Sequence, residues 1–106
     1  MKEINVNDLK AKMDAGEDFF LLDVREPHEY QISNIDGVLI PLGDIPDRYT
    51  EIEDQRDKEV VVMCRSGGRS AQAAKFLESK GFKDVYNLQG GVNAWARFID
   101  PSLPIY

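Results

Sequence analysis

The chain holds one cysteine and one histidine among its 106 residues, and each scarcity closes off a class of chemistry. A lone cysteine excludes an internal disulfide and any metal cage built from cysteines alone. A lone histidine, His28, removes most zinc constellations and leaves one candidate for a Ser-His-Asp arrangement. No apolar run approaches the roughly 20 residues of a membrane-spanning helix. The first residues, Met1-Lys2-Glu3-Ile4-Asn5, have neither an apolar stretch nor a cleavage signature, so the expected compartment is the cytoplasm. Positive charge is short as well. Thirteen Lys and Arg against 19 Asp and Glu leave a net charge of −6, which argues against nucleic acid or an anionic membrane as the main partner. Any catalysis must then draw on one thiol, on carboxylates or on basic side chains, and neither a metal nor a cofactor is expected.

What is present is ordinary for a soluble globular chain, with 42% hydrophobic and 30% charged residues. The length is expected to make a single domain over 1–106, free of repeats and linkers. Asn5 predicts a helix cap with Asp8 in the capping-box position; Leu9 and Met13 share a face, and Gly16 is the stop. Phe19-Phe20-Leu21-Leu22 is apolar throughout, as a strand covered on both faces should be. Pro27 opens a short helical turn through Tyr30. Val38-Leu39-Ile40 reads as a short strand halted by Pro41. Between Leu42 and Arg56, Ile45, Tyr49 and Ile52 put one apolar stripe on a surface helix.

Val60-Val61-Val62-Met63 is the strongest strand, β-branched and unbroken. A helix follows from Arg69 to Lys80, with Ala73, Phe76 and Leu77 on one face and Gly81 at its end. Val85-Tyr86-Asn87-Leu88 is a last strand, and Gly91 to Phe98 a last helix around the packing residue Trp95. Strands alternating with helices predict an α/β fold with an open, mainly parallel sheet. Such sheets bind ligands beyond the carboxyl ends of their strands.

Beyond the strongest strand lies Cys64-Arg65-Ser66-Gly67-Gly68-Arg69-Ser70, and a helix begins at once. The adjacent glycines permit positive φ, so successive N–H groups are free to point into one concavity. The helix N-terminus adds unpaired donors and partial positive charge, and two arginines add full charges. Such a cradle holds an anion, with Cys64 at its edge. The same field favours the thiolate, because cysteines so placed titrate at roughly 3.5 to 7.5 instead of about 8.5. The alternative is that Cys64 is merely a small buried hydrophobe; the glycine pair and the arginines favour a nucleophile.

The loop resembles that of the rhodanese family, and three more segments agree. Leu21-Leu22-Asp23-Val24-Arg25-Glu26, Ile35-Asp36-Gly37-Val38 with Ile40-Pro41, and Leu88-Gln89-Gly90-Gly91-Val92-Asn93-Ala94-Trp95 resemble the family's signatures in order and spacing. Where many members read Gly-His-Ile, this chain has Ser33-Asn34-Ile35. The tail through Pro101-Ser102-Leu103-Pro104-Ile105-Tyr106 resembles the end of rhodanese domains fused to adenylyltransferases, which deliver sulfur to small carrier proteins. The resemblance implies a five-stranded parallel sheet with helices on both faces. It also implies a sulfurtransferase in which Cys64 takes sulfur from an anionic donor such as thiosulfate, keeps it as a persulfide, and passes it to a thiol or a sulfur-carrier protein. The backbone from Arg65 through Ser66, Gly67 and Gly68 to Arg69 would hold the charge.

Around this centre, Asp23 is expected either to orient an arginine or accept loop N–H bonds, or else to cap a helix, and Arg25 to be an ion-pair partner. Ser70 supports the loop. Arg69 is expected to fold back on Asp23, and Arg65 to face solvent and meet the donor. His28, between Glu26 and Glu29, reads as solvated, and the run Glu51, Glu53, Asp54 and Asp57 as a solvated face. A monomer or weak dimer is expected. Three other uses of the loop stay open: a non-catalytic docking module, a persulfide relay fed only by a desulfurase, and a cysteine phosphatase or arsenate reductase. The last usually has five residues between cysteine and arginine; here four separate Cys64 from Arg69.

Overall fold

Side chains alternate across Val60, Val61, Val62 and Met63, and that alternation sorts the molecule into layers. Val60 and Val62 pack with Leu22, Val24, Ala73 and Leu77 on one side of the sheet. Val61 and Met63 pack with Ile4, Leu9, Leu88, Val92 and Trp95 on the other. All four are fully buried, which is why this strand is apolar at every position rather than at every second one.

The computed structural model describes residues Met1–Tyr106. Its strands are β1 (Lys2–Ile4), β2 (Phe19–Asp23), β3 (Val38–Leu39), β4 (Glu59–Met63) and β5 (Asp84–Leu88). They form one sheet in the order β1-β5-β4-β2-β3, parallel at every pairing. Helices α1 (Val6–Asp14) and α5 (Gly91–Phe98) cover one face through Val6, Leu9, Val92 and Trp95. The short α3 (Ile45–Arg48) and α4 (Gly68–Ser79) cover the other through Ile45, Ala73, Ala74 and Leu77. A further short helix, α2 (Pro27–Ile32), follows the carboxyl end of β2. The expected α/β architecture with helices on both faces is therefore present, and the sheet is wholly parallel rather than mainly so.

One local expectation is corrected, and one strand is added to those read from local pattern. The segment from Leu42 to Arg56 is not one helix. It runs as a 3-10 turn (Leu42–Asp44), the single α-turn α3, and a 3-10 stretch (Tyr49–Gln55) interrupted at Ile52, where φ is −116° and ψ 23°. Pro46 brings no N–H to a helical ladder, and the breaks still let Ile45 and Ile52 both reach the core. Strand β1 has no apolar run to announce it, since only Ile4 of its three residues is buried. It exists because the sheet edge at β5 offers partners, pairing Lys2 with Tyr86, Glu3 with Asn87 and Ile4 with Leu88. At the start of α1, Asn5 accepts from the Asp8 N–H at 2.8 Å as expected.

Candidate active site

Strand β4 lies at the centre of the sheet and delivers Cys64 to its carboxyl end. None of the N–H groups from Arg65 to Ser70 reaches a backbone carbonyl. The Gly67 N–H instead donates to Cys64 Sγ at 3.1 Å. Gly67 has φ of +115°, a conformation that side chains resist, and it turns the chain into α4. Gly68 adopts no positive φ and has open space where a Cβ would stand. Only one glycine of the pair is thus required by conformation, which corrects the expectation for both.

Cys64 is 1% exposed and packs in the core beside Val62, deeper than the edge position expected for it. Burial is the largest influence on its thiol and opposes ionisation. The Ser70 hydroxyl and the N–H groups of Ser70, Gly67 and Ser66 act the other way and prevail, so the pKa falls below the ordinary thiol value. Ser70 Oγ lies 3.3 Å from Sγ, with either atom able to donate. Asn87 braces it: Asn87 Oδ1 lies within hydrogen-bond reach of Ser70 Oγ, and Asn87 Nδ2 donates to the Gly67 carbonyl and to Glu3.

A buried ion pair stands at the end of β2. Asp23 and Arg25 are both wholly buried, with Arg25 Nη2 donating to Asp23 Oδ2 at 2.7 Å and Arg25 Nε donating to Asp23 Oδ1 at 3.0 Å. The remaining guanidinium donors go to the Ser33 and Glu29 carbonyls and to the Tyr106 hydroxyl. A charge removed from water needs this degree of satisfaction. Asp23 therefore orients an arginine, but that arginine is Arg25. Arg69 instead makes a bidentate pair with Glu29, Nη1 to Oε1 at 2.6 Å and Nη2 to Oε2 at 2.8 Å, against the expectation that it folds onto Asp23. The Arg69 bonds hold the Glu29 carboxyl well below the usual carboxylate range, against the pull of its burial. The same pairing raises the pKa of Arg69.

Arg65 is exposed and His28 is solvated. Glu29, Asn87 and Tyr106 were not singled out by their sequence context. Glu29 did carry a signal, because its Oε1 accepts the Glu26 N–H in the reciprocal cap that opens α2. That bond fixes the carboxylate that Arg69 meets.

A wholly parallel α/β sheet with one cysteine at the carboxyl end of its central strand, inside a loop of unpartnered N–H groups, defines a cysteine-loop α/β protein. The comparisons make the class specific: the chain belongs to the family of rhodanese-like domains, whose model matches residues 5–98. A putative sulfurtransferase of Bacillus subtilis, YtwF, is 44% identical over 96 residues, 90% of each chain. The crystal structure of a rhodanese-like domain protein from Staphylococcus aureus superposes with a TM-score of 0.83 at 32% identity, over 100% of this chain and 99% of that one. Longer relatives are matched only in part. At 39% identity all of this chain covers 38% of the chloroplastic rhodanese-like/PpiC domain-containing protein 12 of Arabidopsis thaliana. At 36% identity 97% of this chain covers 26% of the probable adenylyltransferase/sulfurtransferase MoeZ of Mycobacterium tuberculosis, in keeping with the resemblance of the tail.

Proposed function

We propose that the protein is a sulfurtransferase in which Cys64 carries sulfur as a persulfide. The observation that carries this reading is the setting of the sulfur atom: an N–H bond from Gly67 at 3.1 Å, within a loop whose other N–H groups have no carbonyl partner. Donors so arranged stabilise a thiolate and, one atom further out, the negative terminal sulfur of a persulfide. With thiosulfate as donor, the Cys64 thiolate attacks the outer sulfur. The sulfur–sulfur bond breaks and sulfite leaves with the bonding pair. A thiolate, on a small molecule or on a sulfur-carrier protein, or cyanide then attacks the terminal sulfur, and Cys64 departs as thiolate. Electrons balance without an outside oxidant, and the two covalent half-reactions imply ping-pong kinetics.

Family membership and the relative named a sulfurtransferase support this reading. The four residues between Cys64 and Arg69, where a phosphatase loop usually has five, make a smaller ring of N–H groups and favour one sulfur atom over a phosphate. The test is intact-mass analysis after incubation with thiosulfate, and separately with a cysteine desulfurase plus cysteine. A gain of about 32 Da on Cys64, removed by cyanide or a thiol, is expected. No gain from either donor would overturn the proposal.

A further inference from the structure

Beyond α5 the chain folds back toward the loop. Ile99 and Leu103 pack against the core on the α1 and α5 face, and the Tyr106 N–H donates to Asn93 Oδ1 at 3.4 Å. The Tyr106 hydroxyl accepts from Arg25 Nη1 at 2.9 Å and donates to Glu29 Oε2 at 2.8 Å. These bonds fix the ring from both sides. The Arg65 guanidinium lies over that ring, 4.9 Å from its centre.

Three arginines surround the site, and their charges are not equivalent. Asp23 matches Arg25, and Glu29 matches Arg69. Arg65 takes part in no ion pair, so it is the full positive charge of the loop left to draw in an anion. A long exposed side chain has no preferred place of its own, and an aromatic face supplies one.

We propose that Tyr106 is a positioning residue that holds the Arg65 guanidinium at the mouth of the Cys64 loop and thereby makes the site select anionic sulfur donors. This deepens the sulfur-transfer reading and rests on it. Tyr106 acts through Arg65 and touches no reacting atom.

The test compares Cys64 alkylation by iodoacetate and by iodoacetamide, two reagents that share one reaction and differ in charge. Any change in the Cys64 pKa cancels in the ratio of their rates. Tyr106→Leu, which keeps bulk but removes the π face, should lower the iodoacetate-to-iodoacetamide ratio by about three- to tenfold. Tyr106→Phe should stay within about twofold of the parent, because the face remains. Arg65→Ala should lower the ratio as Tyr106→Leu does, and the double variant should fall no lower than Arg65→Ala alone. KM for thiosulfate should rise by the same factor in Tyr106→Leu with kcat unchanged. Equal ratios in the parent and Tyr106→Leu, equal losses in the Leu and Phe variants, additive losses in the double variant, or a Cys64 closed to both reagents would each overturn the inference. The ratio needs no sulfur transfer. Charge selection without a persulfide would therefore remove the sulfur reading and keep the placement of Arg65 by Tyr106; a persulfide with an unaltered ratio would remove this inference alone.

Discussion

The Val92 N–H donates to the Cys64 carbonyl oxygen at 2.9 Å, so the first turn of α5 grips the backbone of the cysteine itself. The next amide, Asn93 N–H, binds the Arg65 carbonyl at 3.1 Å. In a trans peptide the carbonyl of one residue and the N–H of the next point opposite ways. Holding those two carbonyls against α5 therefore turns the N–H groups of Arg65 and Ser66 to the other side, and the Ser66 N–H is among those that lower the Cys64 pKa. One helix N-terminus shapes the loop, and a second, that of α4, completes it.

That grip leaves no room at Gly91, whose φ is +57° and whose added Cβ would stand 2.3 Å from the Cys64 carbonyl oxygen and 2.5 Å from that of Arg65. Gly91→Ala should cost about 3 kcal/mol or more of stability. Gly68→Ala, in open space at the first turn of α4, should be neutral or stabilise by up to about 1 kcal/mol. Urea denaturation of both variants checks the contrast, and comparable losses would show that the loop is not held from α5.

Replacing the one thiol should separate chemistry from fold. Cys64→Ser is expected to abolish thiosulfate-to-cyanide transfer and the gain of about 32 Da, while its melting curve stays cooperative. Steady-state assays and intact-mass spectra of the two proteins suffice; a tenth of the activity surviving in the variant would place the sulfur elsewhere.

Ser70 lies 3.3 Å from Cys64 Sγ and helps to lower the thiol pKa. Removing it should therefore move that pKa up, with fewer thiolates at a given pH. In Ser70→Ala the pH profile of iodoacetamide alkylation should shift to higher pH, because the thiolate loses a polar partner beside it. An unmoved profile would leave the backbone N–H groups as the sole source of the effect.

The Glu29–Arg69 pair makes a prediction about acid stability. The folded-state pKa of Glu29 is depressed, so its contribution is complete above the unfolded carboxylate value of about 4.3 and is lost as pH falls below it toward the folded value. Glu29→Gln should lose about 2 to 3 kcal/mol at pH 7. The gap between parent and variant should narrow as pH drops from about 4 toward 2. Denaturation midpoints across that range test it, and a gap that widens would reverse the sign of the linkage.

Much of this molecule is legible from local pattern. Continuous apolar runs at Phe19–Leu22 and Val60–Met63 announce strands buried on both faces, because no side of such a segment tolerates water. The loop from Cys64 to Ser70 follows from the glycine, the helix start and the cysteine in immediate succession. These are short-range facts, and a run of ten residues contains them whole.

Which carboxylate meets which arginine is a different kind of fact. Arg69, expected on Asp23, has a different partner. It reached Glu29, 40 residues away along the chain, because Asp23 was already enclosed with Arg25 two residues on. A buried carboxylate satisfied by one guanidinium has no oxygen left at the surface for another. Tyr106 joins the network across 81 residues to Arg25, by way of a tail whose course depends on the packing of Ile99 and Leu103. Sequence determined that a thiol would stand in a ring of N–H groups at the end of the central strand. Only tertiary structure decided how the charges around it were paired, since pairing depends on distances between elements that local propensity does not encode.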